Sequence, residues 1–242
     1  MQVRVMPRTT ATAARSVVRP AGGGLPNAPR ARKAASGRWQ GSGLGPTAQR
    51  EGKRRAILAA AAAAFTERGY HETSLADLAE RLNVTKPTLY YYVASKEAML
   101  VAIASSALAD AELQLERSRA EGGDALEALR IFARFYVAGM TTDFGRCLLA
   151  VRHTRLAPAT QRKMDLRFRR IDAMVRALIE DGVRDGAIRT CDVRVATFAL
   201  FGAMNGVPHW YDARGPLGVE ATGDALFDIF ARGFAAGTSV AG

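Results

Sequence analysis

The 242-residue chain is 48% hydrophobic, 24% charged and 7% aromatic, a globular profile with ample length for a core. Its net charge of +11 is unevenly placed: residues 1–49 carry eight basic side chains and no acidic one, residues 50–97 carry eight and six, and residues 98–242 carry eighteen and seventeen. No uninterrupted apolar run approaches the roughly 18–20 residues that span a membrane, no secretory-type apolar stretch follows the Arg-rich start, and Cys147 and Cys191 are too few for a disulfide framework and lack zinc-ligand spacing. The expected compartment is a reducing cytoplasm, with no membrane partner.

Residues 1–48 consist of small, Pro, Gly, Thr and Arg residues with hardly a cluster of large apolar groups, and read as a disordered basic tail. Such a tail either adds non-specific attraction to phosphates, or is a featureless leader or the product of a poorly placed start codon. From Arg50 onward amphipathic helices follow one another without a convincing strand. The first runs from about Arg50 to Arg68, with Ile57, Leu58, Ala61 and Phe65 on one face and Gly69 as a left-handed cap. Ser74 caps a short second helix that buries Leu75, Leu78, Ala79 and Leu82, and Asn83-Val84 makes a turn. Thr85 caps a third helix that tolerates Pro87 in its first turn, and Ser95 caps a long fourth. Asp124 opens a fifth, ending near Thr141–Gly145, and a shorter one covers roughly Arg146–Leu156. Pro158 starts a long helix in which Met164, Phe168, Ile171, Val175 and Leu178 hold the helical period, and Gly182 and Gly186 close it. Asp192 caps the next helix, reaching Trp210, and a last helix carries Gly223, Phe227, Phe230 and Phe234 on one stripe. The expected architecture is all-α with about nine helices: a helix-turn-helix unit over 49–97 and a larger bundle over 98–242.

The second and third helices, joined by three or four residues, match helix-turn-helix geometry. At 100° per residue Leu89, Tyr92 and Val93 face inward, while Pro87 and Tyr91 point outward, flanked by Thr88 and Tyr90. The outer face thus carries hydroxyls and aromatic rings where charged solubilising groups are usual. Tyrosine hydroxyls suit phosphate oxygens, their rings suit sugars and thymine methyls, and Lys86 reaches base edges or phosphates. Thr73, Thr85 and Lys96, near the starts of these helices, complete the expected DNA contacts with Lys86, Pro87, Thr88, Tyr90, Tyr91 and Tyr92. Tyr92 fits helix packing as well as it fits DNA.

Phe65-x-x-x-Gly69-Tyr70, Thr73-Ser-Leu-Ala-Asp-Leu-Ala79, Val84-Thr-Lys-Pro-Thr-Leu-Tyr-Tyr-Tyr92 and Ser95-Lys-Glu-Ala98 together resemble the DNA-binding domain of the TetR (tetracycline-repressor-like) family over about residues 50–100. Pro87 stands where many members have Gly or Ala, and Val93 where many have Phe, so an operator sequence does not transfer with the resemblance. The resemblance implies a homodimer, double-stranded operator DNA as partner, and a helical bundle that binds a small-molecule effector and thereby alters the separation of two recognition helices. Helices reading one face of DNA sit about 34–36 Å apart.

The last two helices look like this family's dimerisation pair. Gly202 and Gly206 stand one turn apart, Phe198, Phe201, Phe227, Phe230 and Phe234 supply apolar area, and Asn205 lies among them; an intrachain core would use the same residues. The segment from Gly202 to Leu217 resembles TetR-like regulators of fatty-acid and steroid catabolism, which often respond to acyl-CoA thioesters. An acyl-CoA site needs an apolar tunnel, for which Phe132, Phe135, Tyr136, Met140, Phe144, Leu148, Met164 and Phe168 are candidates, and cations, which Arg152, Arg155, Arg162, Arg167, Arg169 and Arg170 offer. A plain core and a solvated helix face account for the same residues. His71, His153 and His209 lie in three separate elements, and no phosphate loop, metalloprotease helix or nucleophile elbow is present, so no catalytic residue, metal or cofactor is expected. The leading expectation is a repressor released by an apolar or amphipathic effector. The alternatives are a ligand-dependent activator and a helical ligand-binding protein without specific DNA binding.

Overall fold

The structure, a computed structural model, describes residues 46–232. The basic segment and Phe234 lie outside the described residues, apart from the last residues of that segment. Among the described residues there are nine helices and no strand: α1 (Pro46–Arg68), α2 (Leu75–Arg81), α3 (Lys86–Tyr92), α4 (Lys96–Glu121), α5 (Ala125–Met140), α6 (Asp143–His153), α7 (Pro158–Arg184), α8 (Val193–Trp210) and α9 (Val219–Arg232).

Most helix starts follow from a short polar side chain whose oxygen accepts an otherwise orphaned amide. Ser74, Thr85, Ser95, Asp124 and Asp192 all do this. Several boundaries differ from the sequence pattern. α1 begins at Pro46, four residues earlier than the apolar face requires, because helix continues through a polar turn that buries little. α6 begins at Asp143, since the Thr142 hydroxyl accepts the Gly145 amide at 3.2 Å and draws Asp143 and Phe144 into the helix. Gly182 does not end α7; it is buried inside it, where a Cβ would come 2.7 Å from the Ile188 side chain, and Gly186 at φ +81° makes the turn instead.

α4 is the spine. By length and mean hydropathy (1.4 over its most apolar window) it could cross a membrane, although no uninterrupted apolar run marks it. Its N-terminal half packs Met99, Leu100 and Ile103 into a core shared with Ile57, Leu58 and Phe65 of α1, Leu78 of α2, Leu89 of α3, and Cys147, Leu148 and Val151 of α6. Farther along, Leu115 enters a second core with Leu129, Phe132 and Val137 of α5, Val175 and Ile179 of α7, Leu200 and Met204 of α8, and Phe227 of α9. The helix-turn-helix unit is therefore continuous with the bundle through buried side chains. Close-packed interiors transmit displacement in this way. Arg130–Asp228 (2.7 Å) and Arg134–Asp224 (3.0 Å) fasten α9 to α5, and Gly223 brings the two backbones together, since a Cβ there would stand 2.8 Å from the Arg134 Cα.

Candidate functional site

The helix-turn-helix unit is built by local chemistry. Ser74 and Asp77 form a reciprocal capping box at the start of α2, with the Asp77 amide donating to Ser74 Oγ (3.1 Å) and the Ser74 amide to Asp77 Oδ2 (2.8 Å). These hydrogen bonds hold the Asp77 carboxyl below its usual range. Arg81 grips Glu67 with both guanidinium arms (2.6 and 2.9 Å), fixing α2 against α1. Asn83 at φ +52° supplies the left-handed residue of the turn. Thr85 then caps α3 through the Thr88 amide (3.3 Å), and the two threonine hydroxyls meet at 2.8 Å.

α3 presents two unlike faces. Leu89 (1% exposed) and the following Val93 are buried, whereas Lys86, Pro87, Thr88, Tyr90 (53%) and Tyr91 (63%) are open. Tyr92 is half-buried against the core and meets Tyr91 edge-on, ring centroids 5.0 Å apart. It acts first as a brace for Tyr91. Arg50, which the sequence did not single out, places its guanidinium 5.1 Å from the Tyr91 ring centroid. Periodicity within α1 alone gives no sign of this contact.

One expected contact is corrected, at Thr73, and a second, Lys96, is found already engaged within the chain. Thr73 is 1% exposed, and its hydroxyl donates to the carbonyls of Ala64 (3.2 Å) and Gly69 (2.9 Å), so it clamps the α1–α2 corner from inside. Lys96 is turned back: its ammonium donates to the His71 carbonyl (3.1 Å) and lies 4.4 Å from the Tyr70 ring centroid. Partial burial lowers its pKa, with Glu72 pulling the other way. The remaining open surface is Lys86, Pro87, Thr88, Tyr90 and Tyr91, with Thr85 at its start.

In the bundle, a cavity of about 250 Å³ lies between α5, α6, α7 and α8, walled by Tyr136, Leu148, Arg152, Phe168, Phe198 and Phe201 among others. A second of about 90 Å³ includes Phe132, Phe135, Met140 and Phe144, and shares Tyr136 and Leu148 with the first. Eight of the nine residues expected at a ligand pocket thus wall one or both cavities. Met164 does not; it is 2% exposed and packed, with the Ser105 hydroxyl 3.8 Å from its sulfur. The partition is Tyr136, whose hydroxyl donates to Asn205 Oδ1 (3.0 Å) and whose pKa burial pushes up to about 12. Arg152 stacks 4.1 Å from the Phe168 centroid. Of the other arginines considered as cations, Arg167 and Arg170 pair with Glu112 (3.9 and 3.6 Å).

On the expected dimer surface, Phe198 (54%) and Gly202 are exposed, and Phe201, Asn205, Gly206 and Phe230 are partly so. Phe227 is fully buried in the second core, so it belongs to the chain's own interior. Cys147 is buried, its thiol pushed up to about 12 by desolvation, and no His/Cys/Asp/Glu cluster suited to a metal occurs among the described residues.

A capped two-turn helix with an open hydroxyl-and-aromatic face, carried on a helical bundle with an internal cavity, defines a one-component DNA-binding regulator as the class. Residues 57–103 match the family described as bacterial regulatory proteins, tetR family, and residues 122–234 match the tetracyclin repressor-like C-terminal domain. The regulator RutR of Escherichia coli K12 is 45% identical over 51 residues, 21% of this chain and 24% of that protein. The match therefore spans about a quarter of RutR. The crystal structure of the TetR-family regulator PfmR from Thermus thermophilus superposes with TM-score 0.68 at 32% identity, covering 74% of this chain and 99% of that one. That of AibR in complex with isovaleryl coenzyme A and operator DNA gives 0.67 at 26% identity, covering 74% and 98%. The chain belongs to the TetR family of DNA-binding transcriptional regulators.

Proposed function

We propose that the protein is a cytoplasmic homodimeric repressor that leaves its operator when a small apolar or amphipathic molecule, an acyl-CoA being the leading candidate, enters the bundle. The observation that carries this reading is the continuity of structure between α3 and the cavity. Leu89 beneath the recognition face and Leu148 in the cavity wall belong to one buried cluster, joined through α4 and α6. A ligand that prefers one arrangement of that cluster changes how two recognition helices are spaced, and it acts only through its differential affinity for the two arrangements.

The cavity's chemistry supports an amphipathic effector: aromatic and aliphatic walls carry a body or acyl chain, and Arg152 offers a cation to a thioester or phosphate. AibR, whose solved complex holds isovaleryl coenzyme A, supports the acyl-CoA class by similarity. Lys86, Pro87, Thr88, Tyr90 and Tyr91 contact the operator, and α8 with α9 forms the subunit interface. The protein acts by binding, without catalysis.

Selection of bound fragments from a genomic DNA pool at physiological salt, followed by gel-shift titration, tests the reading. A retained sequence released by isovaleryl-CoA or a longer acyl-CoA is the expected outcome. Retention of no fragment above the non-specific level would leave only a ligand-binding helical protein.

A further inference from the structure

α6 is lined on two sides. Leu148 and Arg152 wall the cavity of about 250 Å³. Arg146 and Cys147 instead wall a separate pocket of about 220 Å³, at the seam with Phe65 and Thr66 of α1 and with Pro208 and His209 of α8. Leu149 alone is common to both.

Two polar groups of the seam pocket have no partner among the described residues. Arg146 makes no ion pair there, whereas Arg81, Arg119, Arg130 and Arg134 each hold a carboxylate. The Thr66 hydroxyl oxygen is shielded from water and has no hydrogen-bond partner. In a helix a threonine hydroxyl can turn to the carbonyl four residues back. That carbonyl, of Ala62, receives the Cys147 thiol at 3.9 Å instead. A shielded hydroxyl without a partner is costly, and rotation about χ1 turns it toward the pocket. His209 adds an imidazole N–H, a donor in either protonation state. Of the carboxylates nearest in sequence, Glu67 is gripped by Arg81, and Asp143 does not wall the pocket. Burial keeps the Cys147 thiol protonated, so it brings no opposing charge.

We infer that this seam is a second ligand site, for a small carboxylate with a short apolar body. Arg146 takes the carboxylate, with the Thr66 hydroxyl and the His209 imidazole as further donors. Phe65, Leu149 and Pro208 cover the body. Because the walls come from α1, α6 and α8, a molecule held there joins the helix-turn-helix unit to the bundle. The site does not depend on what fills the other cavity, since α6 stands between them.

The test uses the full chain and benzoate, titrated calorimetrically in Tris chloride free of competing oxyanions. Saturable binding is expected, and Arg146→Gln should weaken it roughly tenfold or more, the worth of one charged hydrogen bond. Thr66→Val should weaken it about threefold and leave the ligand-free protein no less stable, which a hydroxyl with a structural partner would not allow. Arg152→Gln, on the other side of α6, should leave benzoate affinity unchanged. Circular dichroism and thermal unfolding check that each variant is folded. Absence of saturable binding, or full affinity in Arg146→Gln, overturns the inference. A loss confined to Arg152→Gln overturns it too, by placing benzoate in the other cavity. Inorganic phosphate that binds as tightly as benzoate, with the same dependence on Arg146, overturns the carboxylate class.

Discussion

The α3 and α8 surfaces both leave large apolar or aromatic side chains in water, but the company they keep differs. On α3, Tyr90 and Tyr91 carry hydroxyls and stand beside Lys86, Thr88 and the guanidinium of Arg50. Around Gly202, α8 offers Val195, Phe198, Ala199 and Ala203, with the guanidinium groups of Arg176 and Arg194 beside the Phe198 ring but no hydroxyl-bearing ring among them. The first surface matches phosphates, sugars and base edges; the second matches another apolar helix face. The two surfaces thus suit different kinds of partner, and the hydroxyl groups on α3 make the difference.

The largest effect expected from breaking this comparison is at Phe227, an aromatic of the α9 stripe that lies inside. Phe227→Ala should cost about 3–5 kcal/mol of stability, equally at low and high protein concentration, in urea unfolding. A loss that grows on dilution would return Phe227 to the interface. Next comes the alkaline limit. Burial pushes Tyr136 from 10.0 and Cys147 from 9.0 up to about 12, so the folded state holds both protons more tightly than the unfolded chain. Their contribution is complete below about pH 9 and is lost as pH rises toward 12. Alkaline unfolding followed by circular dichroism should fall less steeply in Tyr136→Phe and in Cys147→Ala; an unchanged slope in both would mean that neither group is shielded from water in the folded state.

Smaller, and confined to the outer surface, are the effects expected at the proposed DNA contacts. Lys86→Ala and Tyr91→Ala should each weaken operator binding by about 5- to 150-fold with thermal stability unchanged. Full affinity in both variants would remove α3's outer face from the interface. The smallest effect is expected at Thr73, where Thr73→Val should lower stability by about 1 kcal/mol and leave the folded protein's operator affinity intact. A selective affinity loss would restore Thr73 as a contact.

Much of this was legible before any coordinates. Ser74, Thr85, Ser95, Asp124 and Asp192 start helices because a short side chain can satisfy an amide three residues on, and that chemistry needs no distant partner. The split of α3 into a buried Leu89 side and an open Tyr91 side follows from helical period alone. Thr73 and Lys96 misled because their partners, Ala64, Gly69, Tyr70 and His71, come from the α1–α2 corner, and a motif pattern does not say which polar atoms the fold has already taken. Arg50 was missed for the converse reason: only the tertiary placement of the start of α1, packed on α2, α4 and α6, brings it to Tyr91.

What the residues determined by themselves is therefore the set of helices, their caps, the helix-turn-helix pair and the outward face of α3, all fixed by interactions within a few residues. Which apolar side chains became core, as Phe227 and Met164 did, which became cavity wall, as Tyr136 and Leu148 did, and which stayed open on α8 was decided only by tertiary packing. All of them recur at the same helical period, and only the neighbour that arrives from elsewhere in the chain distinguishes a filled space from an empty one.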